Sequence, residues 1–227
     1  MNKIKTYKLN TMKGLALFAM LSIGMVACKK NSIYYDYQSN VKEFDGNVLQ
    51  YLQAQPNTYD SLLLVLDLLP DLKDSLVNNQ VTLFAPTNES FRVAVRNLNI
   101  ERAKENKAPM YLSDCALEQL DTLTTRYILR GKMTTDTYAP FVDGTTYKSL
   151  KSGYRMHVLY DKINASGFVQ GGPRSVVYSD PKNNIFTKYW QRSNTNAVNI
   201  VAKNGVINIL APLHDFGFNE FIERVDQ

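Results

Sequence analysis

The chain has 227 residues, of which 44% are hydrophobic and 21% are charged, and this composition excludes an intrinsically disordered chain. Its formal net charge is +5, but residues 1–27 hold four lysines and no acidic residue. Subtracting these four from the 26 basic residues leaves 22 against 21 acidic residues, a net charge of +1. A nearly neutral remainder argues against a broad nucleic-acid-binding surface.

The first 30 residues predict a secretory lipoprotein signal. The four lysines precede an uncharged stretch from Gly14 to Ala27. A helix of this length spans about 21 Å, which is too short for a hydrocarbon core of about 30 Å. The stretch ends in Met25-Val26-Ala27-Cys28, which resembles a bacterial lipobox with methionine where leucine is commoner.

This resemblance implies that residues 1–27 are removed and that Cys28 becomes the lipidated first residue, followed by a tether to residue 41. An ordinary signal peptide with a coincidental cysteine is the alternative. Because Lys29 follows Cys28, the analogy with bacterial lipoprotein sorting favours the outer membrane, and we expect the cell surface rather than the periplasmic face. Cys115 would be the remaining cysteine, so we expect a buried free thiol and no intramolecular disulfide.

The first half of the mature chain has helical periodicity. Apolar residues recur at helical spacing between Leu62 and Leu69, and Pro70 is expected to end that helix. A short strand is predicted at Val81-Thr82-Leu83-Phe84, after which Thr87 or Asn88 can N-cap a further helix. The inward faces of this helix and of one that opens at Ser113 are expected to carry Phe91, Ala94, Val95 and Leu98, and Leu117, Leu120, Leu123 and Tyr127.

The second half favours strands, with short β-forming runs separated by glycines. The strongest signal is a hairpin in which Ala197–Ala202 and Val206–Leu210 flank Asn204-Gly205, because both turn residues tolerate positive φ. Helices in the first half packed on a mostly antiparallel β-sheet or sandwich in the second half predict an α+β domain over residues 42–227.

Three segments resemble the fasciclin domain family, and they occur in the family's order. Residues 81–91 (VTLFAPTNESF) resemble its first signature, residues 127–132 (YILRGK) its tyrosine-histidine segment, and residues 204–210 (NGVINIL) its second signature. The closing residues 213–218 resemble the tail of single-domain fasciclin-like lipoproteins of the Bacteroidota. The family signature residues are Phe84, Ala85, Pro86, Thr87, Asn88, Phe91, Tyr127, Asn204, Gly205, Val206 and Ile207.

The resemblance implies a fasciclin-like fold and a role in adhesion or extracellular interaction. The signature segments carry no reactive groups, so we expect them to determine the fold, and we expect Phe216 and Phe218 to pack the C-terminus. Two histidines of the family pattern are replaced by Ile128 and Asn208, so the integrin binding linked to that region in animal relatives does not carry over.

Catalysis is not expected. The two histidines, His157 and His214, belong to no metal-ligand or nucleophile motif, and His214-Asp215 adjacency is not the geometry of a catalytic triad. Paired carboxylates among the 21 acidic residues are not selected by any motif. We therefore expect no catalytic residue, no metal and no cofactor.

Two insertions are expected relative to a minimal fasciclin domain. Residues 99–113 are predicted to form a charged loop. Residues 180–196 are polar but contain Phe186, Tyr189 and the single tryptophan, Trp190. These aromatic residues are the candidate binding residues, since exposed aromatics can stack on sugars or anchor a protein interface. The alternative is an extra hairpin whose aromatics pack on the domain.

The sequence thus predicts a lipid-anchored envelope module that binds an extracellular protein or glycan and is held to the membrane by its lipid. Two alternatives stay open. One is an accessory glycan-binding lipoprotein of a polysaccharide-uptake system, and the other is a structural protein that faces the periplasm.

Overall fold

The computed structural model describes residues 42–162 and 174–226. The predicted signal peptide, the lipidated Cys28 and the tether up to residue 41 lie outside the described residues. Within the described ranges, no helix is both long enough and apolar enough to span a membrane.

Helices and strands alternate along the first half of the described chain, and strands dominate the second. The helices are α1 (Val48–Gln53), α2 (Asp60–Leu68), α3 (Pro70–Asn78), α4 (Asn88–Lys104), α5 (Leu117–Thr125), α6 (Thr135–Tyr138) and α7 (Phe221–Val225). The strands are β1 (Lys42–Glu43), β2 (Val81–Ala85), β3 (Ile128–Arg130), β4 (Thr145–Lys148), β5 (Arg155–Lys162), β6 (Arg174–Asp180), β7 (Gln191–Val201) and β8 (Gly205–Leu210).

Seven of the strands form one continuous path in the order β3-β2-β8-β7-β6-β5-β4, and β1 pairs with β7. The β1–β7 and β2–β8 pairs are parallel, and the other pairs are antiparallel. The two ends of the path approach each other, because the Leu150 amide donates to the Ile128 carbonyl at 2.7 Å and Leu129 bridges to Ser149. The sheet is therefore nearly closed.

The mixed helix and sheet composition is as predicted, but the layout differs from helices followed by strands. β1, β2 and β3 come from the first half and join the same sheet as the later strands. The parallel β2–β8 pair was not predicted, because a partner strand that is distant in sequence leaves no local pattern. A single curled sheet replaces the predicted alternative of a sandwich.

Three predicted helix details need correction. Pro70 does end α2, yet it also occupies the first turn of α3, where a missing amide proton costs nothing. Residues 99–104 belong to α4, so the predicted loop starts only after Lys104. The helix expected from Ser113 begins at Leu117, whose side chain is exposed because it lies in the first turn on the solvent side.

The core lies inside the curled sheet and under the helices. Alternation along β5 places Met156 and Val158 inside, fully buried, while Arg155 and His157 point outward. Inward residues of the neighbouring strand β6 include Tyr178, which is also fully buried. The outward face of β4, β5 and β6 therefore lies outside this core.

Candidate binding site at the Trp190 cleft

The three segments that carry the family resemblance meet in the protein interior. β2 lies between β3 and β8, with Val81 opposite Gly205 and Ala85 opposite Ile209. The Phe84 amide donates to the Tyr127 carbonyl at 2.9 Å, which joins the third segment to the other two. Segments that are far apart in sequence therefore form one buried layer.

Aromatic stacking fills the space beneath this layer. The Phe84 ring stacks on Tyr178 with a centroid distance of 3.8 Å, and Phe91 stacks on Phe216 at 4.2 Å. Tyr127 is fully buried. Ala85, Pro86, Val206 and Ile207 are buried as well. These signature residues contact the core and present no group to a ligand.

The two residues predicted to cap α4 behave differently from expectation. Thr87 is the N-cap residue, but its side chain forms no capping hydrogen bond. The Asn88 amide oxygen accepts from the Ser61 amide at 2.9 Å, and its NH₂ donates to Asp60 at 2.9 Å. Asn88 therefore caps the start of α2, a contact that sequence spacing does not reveal.

The Asn204-Gly205 turn forms as predicted but for another reason, since neither residue adopts positive φ. The Asn204 side chain accepts from the Val48 amide at 2.9 Å and donates to the carbonyls of Leu76, Val77 and Asn79. It thereby ties the start of α1 to the end of α3. A Cβ on Gly205 would lie 2.5 Å from the Val81 carbonyl oxygen, so close approach of β2 requires glycine.

His214 is a packing residue in a buried hydrogen-bond chain. Its Nε2 lies 2.6 Å from the Tyr127 hydroxyl, which accepts a hydrogen bond from the Gly217 amide at 2.8 Å. Burial lowers the pKa of His214 to about 3, so the imidazole is neutral. Tyr127, and not Asp215, holds the ring. Burial raises the pKa of Asp215 to about 6, and its Oδ1 is buried without a partner among the described residues.

A buried ion cluster that the sequence did not indicate joins α5, β6 and the C-terminal segment. The Arg126 guanidinium contacts Asp180 at 2.7 Å and Glu220 at 2.8 Å. Both Arg126 and Asp180 are almost completely buried, and the Tyr154 hydroxyl donates to Asp180 at 2.6 Å. Burial opposes ionisation of Glu220, but hydrogen bonds from Arg126 and Arg224 outweigh it and lower the pKa of this carboxyl. The cluster fixes the end of β6, where the candidate binding segment begins.

The candidate binding residues lie directly after this anchor point. Phe186 and Tyr189 have 60% and 52% of their side chains exposed, and their ring centroids are 6.5 Å apart. Trp190 is partly buried and immediately precedes β7. Residues 191–196 of the predicted insertion belong to β7, so the connection between β6 and β7 is confined to residues 181–190.

Contacts on several sides hold Trp190. Its indole N–H donates to the Asn184 carbonyl at 2.7 Å, and the centroid of its ring lies 4.8 Å from the centroid of the His157 ring. The His157 Nε2 is 2.9 Å from the Asp143 carbonyl oxygen, so His157 links Trp190 to the turn before β4. Burial lowers the pKa of His157, which leaves it neutral near pH 7. The tryptophan is therefore ordered before any ligand binds.

The turn between β6 and Trp190 is also tightly constrained. Lys182 and Asn183 adopt φ of 50° and 54°, which non-glycine residues rarely adopt. The Lys182 amide donates to Asp180 at 2.8 Å, and the Asn184 amide donates to the Pro181 carbonyl at 2.8 Å. Such backbone conformations persist only where surrounding contacts enforce them, and they are frequent at ligand-binding turns.

A cleft of about 300 Å³ opens beside the tryptophan. Its lining combines one aromatic ring, one guanidinium, a hydroxyl and side-chain amides. The lining residues are Thr146, Arg155, Pro181, Asn183, Asn184, Ile185 and Trp190. Sequence reasoning identified Trp190 but missed Arg155 and Thr146, since the pairing of β5 with both β4 and β6 brings them to this segment.

Two other clefts lie on the helical side. One of about 280 Å³ is bordered by α2 and α4 and includes Leu64 and Tyr111. The other, of about 220 Å³, lies where α3 meets α5 and includes Leu117 and Lys151. Neither contains a candidate binding residue.

The remaining titratable groups of the described residues form no metal site. Over residues 42–162 and 174–226, no three His, Cys, Asp or Glu side chains are placed to hold an ion. Cys115 is a buried free thiol, as predicted, and burial raises its pKa to about 11. Its Sγ contacts the Tyr111 carbonyl oxygen at 3.3 Å.

Comparison with known proteins gives one kind of match. No family model matches the chain, and no curated protein matches it. Among solved structures, the chain is similar to a FAS1 domain pair from the insect cell adhesion molecule fasciclin I, with 11% sequence identity and a TM-score of 0.41. The alignment covers 76% of this chain and 46% of that chain, so this chain spans less than half the length of the domain pair.

Proposed function

We propose that the chain is a fasciclin-like domain, held at the outer membrane by a lipid on Cys28, that acts by binding an extracellular partner. The ordered signature segments support the family assignment, because all three pack together in one buried layer. Asn208, which replaces a family histidine, is buried, and its side chain accepts from the Asn199 amide at 3.1 Å. That position is therefore structural in this chain.

The observation that carries the binding function is the exposure of Phe186 and Tyr189 beside the ordered Trp190. Large aromatic side chains are normally buried, and grouped exposed aromatics mark interaction sites. The three residues occupy one short segment whose backbone is fixed at Asp180. A rigid segment loses little entropy on binding, which favours a specific partner.

A binding role also agrees with the state of the groups that could catalyse. His214 is buried and neutral, and its Nε2 is engaged by Tyr127. The Cys115 thiol is protonated at neutral pH because burial raises its pKa to about 11. Neither group is available as a base or a nucleophile.

Attachment of cells that carry the protein tests this function. We expect the double substitution Phe186→Ala and Tyr189→Ala to reduce attachment to the natural surface or partner cell without changing protein abundance. The matched control is Tyr111→Ala with Leu117→Ala, since these side chains are 59% and 52% exposed on the helical side. Equal attachment by both double variants and the unchanged protein would contradict a role for the Phe186 segment.

Display at the cell surface needs its own measurement. A non-permeant protease added to intact cells should cleave the chain while a periplasmic control protein stays intact. Protection until lysis would place the domain in the periplasm, and the alternative of a periplasmic structural protein would replace the adhesion role.

Glycan binding is the second candidate function, and the polar cleft beside Trp190 favours it. Amide, hydroxyl and guanidinium groups line the cleft together with a single aromatic ring, and such a set can bind a polar ligand that has one apolar face. A protein partner would instead rely mainly on the exposed Phe186 and Tyr189.

A further inference from the structure

We propose that the Trp190 cleft is a subsite for a sugar residue that carries an acidic group, so that the ligand is an anionic polysaccharide. This inference rests on the proposed binding function and names the chemical class of its ligand. The occupant is defined by three properties of the cleft: its aromatic wall, its hydrogen-bonding groups and its charge.

The aromatic wall suits a pyranose ring. Trp190 lines the cleft and is held in place by its bond to the Asn184 carbonyl and by contact with His157. The ring is amphipathic, and its N–H is already satisfied within the protein. The ring surface that lines the cleft is therefore free to contact the C–H face of a sugar, and a cleft of about 300 Å³ is small enough to select a single residue of a chain.

The polar lining suits hydroxyl groups. The Thr146 hydroxyl can donate or accept, and the side chains of Asn183 and Asn184 each offer both an acceptor oxygen and donor protons. Asn184 is partly used, because its side-chain oxygen accepts from the Phe186 amide at 2.8 Å. Its NH₂ and the Asn183 amide stay available to ligand hydroxyls.

The charge of the cleft suits an acid. Arg155 is the charged residue in the lining, and within the described part of the chain it forms no ion pair. Its cross-strand partner is Lys148, and the chain segment on either side of Trp190 also carries Lys188 and Arg192. No carboxylate lines the cleft. A guanidinium binds carboxylate or sulfate oxygens through two parallel hydrogen bonds, so the exposed Arg155 favours an anionic ligand.

Nucleic acid and acidic peptides fit less well. Nucleic-acid grooves usually present successive stacking platforms, whereas this lining holds one aromatic ring. An acidic peptide would form an ion pair with Arg155. It has no sugar ring whose hydroxyl groups could bond to the side-chain amides of Asn183 and Asn184 or whose C–H face could stack on Trp190. Polyglutamate therefore serves as a control for charge without a sugar.

Trp190 is the single tryptophan of the chain, so intrinsic fluorescence of the full-length protein in detergent reports on this cleft. The probes are polygalacturonate, alginate, hyaluronate and heparin. The controls are fully methyl-esterified polygalacturonate, which keeps the sugar without the charge, and polyglutamate. We expect a saturable change with at least one acidic polysaccharide and none with either control.

Substitutions test whether the polysaccharide binds at the Trp190 cleft. Arg155→Gln should weaken the binding by about tenfold or more, as loss of a charge-assisted pair does. Arg96→Gln, which removes an exposed arginine on α4, should leave it unchanged. For Trp190→Ala, binding is followed by calorimetry and should be lost, while far-ultraviolet circular dichroism shows that the fold is retained.

Each other outcome overturns the inference. Equal binding of the esterified polymer would remove the requirement for an acid, and equal binding of polyglutamate would replace the sugar by an acidic peptide. Equal losses for Arg155→Gln and Arg96→Gln would indicate non-specific charge attraction. Silence with all four acidic polymers would also refute it. The proposed binding function would survive these results if the Phe186 and Tyr189 double variant still lost attachment, and would fail if attachment were unchanged.

Discussion

The signature layer of β2 and β8 and the Trp190 cleft place their aromatic residues in opposite environments. In the signature layer Phe84 and Phe91 are no more than 1% exposed, and each stacks on a second ring. At the cleft, Phe186 and Tyr189 are more than half exposed. Residues of one chemical type therefore stabilise the fold in one region and are exposed to solvent in the other.

This difference separates what family resemblance explains from what it does not. The resemblance lies in segments whose side chains pack, cap and pair strands, so it accounts for the architecture. The cleft lies outside those segments, in a part of the chain with no counterpart in the signatures.

The largest effect is expected from a substitution that breaks the buried ion cluster of Arg126, Asp180 and Glu220, which connects the two regions. Arg126→Met leaves the buried Asp180 carboxylate without its partner and should lower the free energy of unfolding by about 3–5 kcal/mol. Arg92→Met removes an exposed pair with Glu89 and should cost less than about 1 kcal/mol. Urea denaturation of both variants measures the difference. Similar small losses would show that the buried cluster does not hold β6.

The next effect tests the close approach of β2 to β8. Gly205→Ala places a methyl group 2.5 Å from the Val81 carbonyl oxygen and 2.7 Å from a Val48 methyl. The strands must separate, at an expected cost of about 1–3 kcal/mol. Thermal and urea unfolding measure this cost. At an unhindered position the same change would stabilise the fold, so any gain in stability would contradict the close approach.

A smaller effect concerns pH. The pKa of Asp215 is raised from 3.8 to about 6, so between these values the folded state binds more protons and this residue's contribution to stability falls as pH rises. Asp215→Asn should therefore stabilise the protein by roughly 1 kcal/mol at pH 7.5, a value reduced for its partial exposure, and by almost nothing at pH 4.

The comparison for Asp215 is made between variant and unchanged protein at each pH. His214 contributes an opposite slope in both, because its pKa is lowered from 6.5 to about 3 and stability is lost as pH falls below 6.5. That contribution cancels in the difference. A gain that is the same at pH 4 and pH 7.5 would show that the Asp215 carboxylate is well solvated.

The smallest effect on stability should come from the exposed aromatics. Phe186→Ala and Tyr189→Ala are each expected to change the free energy of unfolding by no more than about 0.5 kcal/mol. Phe84→Ala, in the signature layer, should cost about 3–5 kcal/mol and is the matched comparison. A loss of several kcal/mol at Phe186 would mean that the aromatics of this segment pack on the domain, which is the alternative left open from the sequence.

Local patterns made much of the fold predictable. The hairpin of β7 and β8 and the strand at β2 follow from apolar runs bounded by turn residues, and the inward face of α4 follows from helical spacing. Helix boundaries are harder to predict where polar residues continue a helix, as at residues 99–104. Leu117 shows the same limit, since helical spacing alone does not say which side of a first turn faces the core.

Long-range contacts were not predictable. The meeting of Arg126, Asp180 and Glu220 depends on three segments that are far apart in sequence, and no spacing rule connects them. Arg155 reaches the cleft because β5 pairs with both β4 and β6. Asn204 was identified correctly as a turn residue, but its role as a cap for α1 depends on where the helices pack.

Quenching of the single tryptophan tests the central claim, that the Trp190 ring is open to a positively charged cleft, most directly. Iodide and caesium ions are compared as quenchers of the full-length protein at equal ionic strength. Arg155 is the charged residue of the cleft lining and should concentrate iodide, so the iodide quenching constant should clearly exceed that of caesium, and Arg155→Gln should narrow the gap. Weak and equal quenching by both ions would show a closed ring and would contradict the cleft as a binding site.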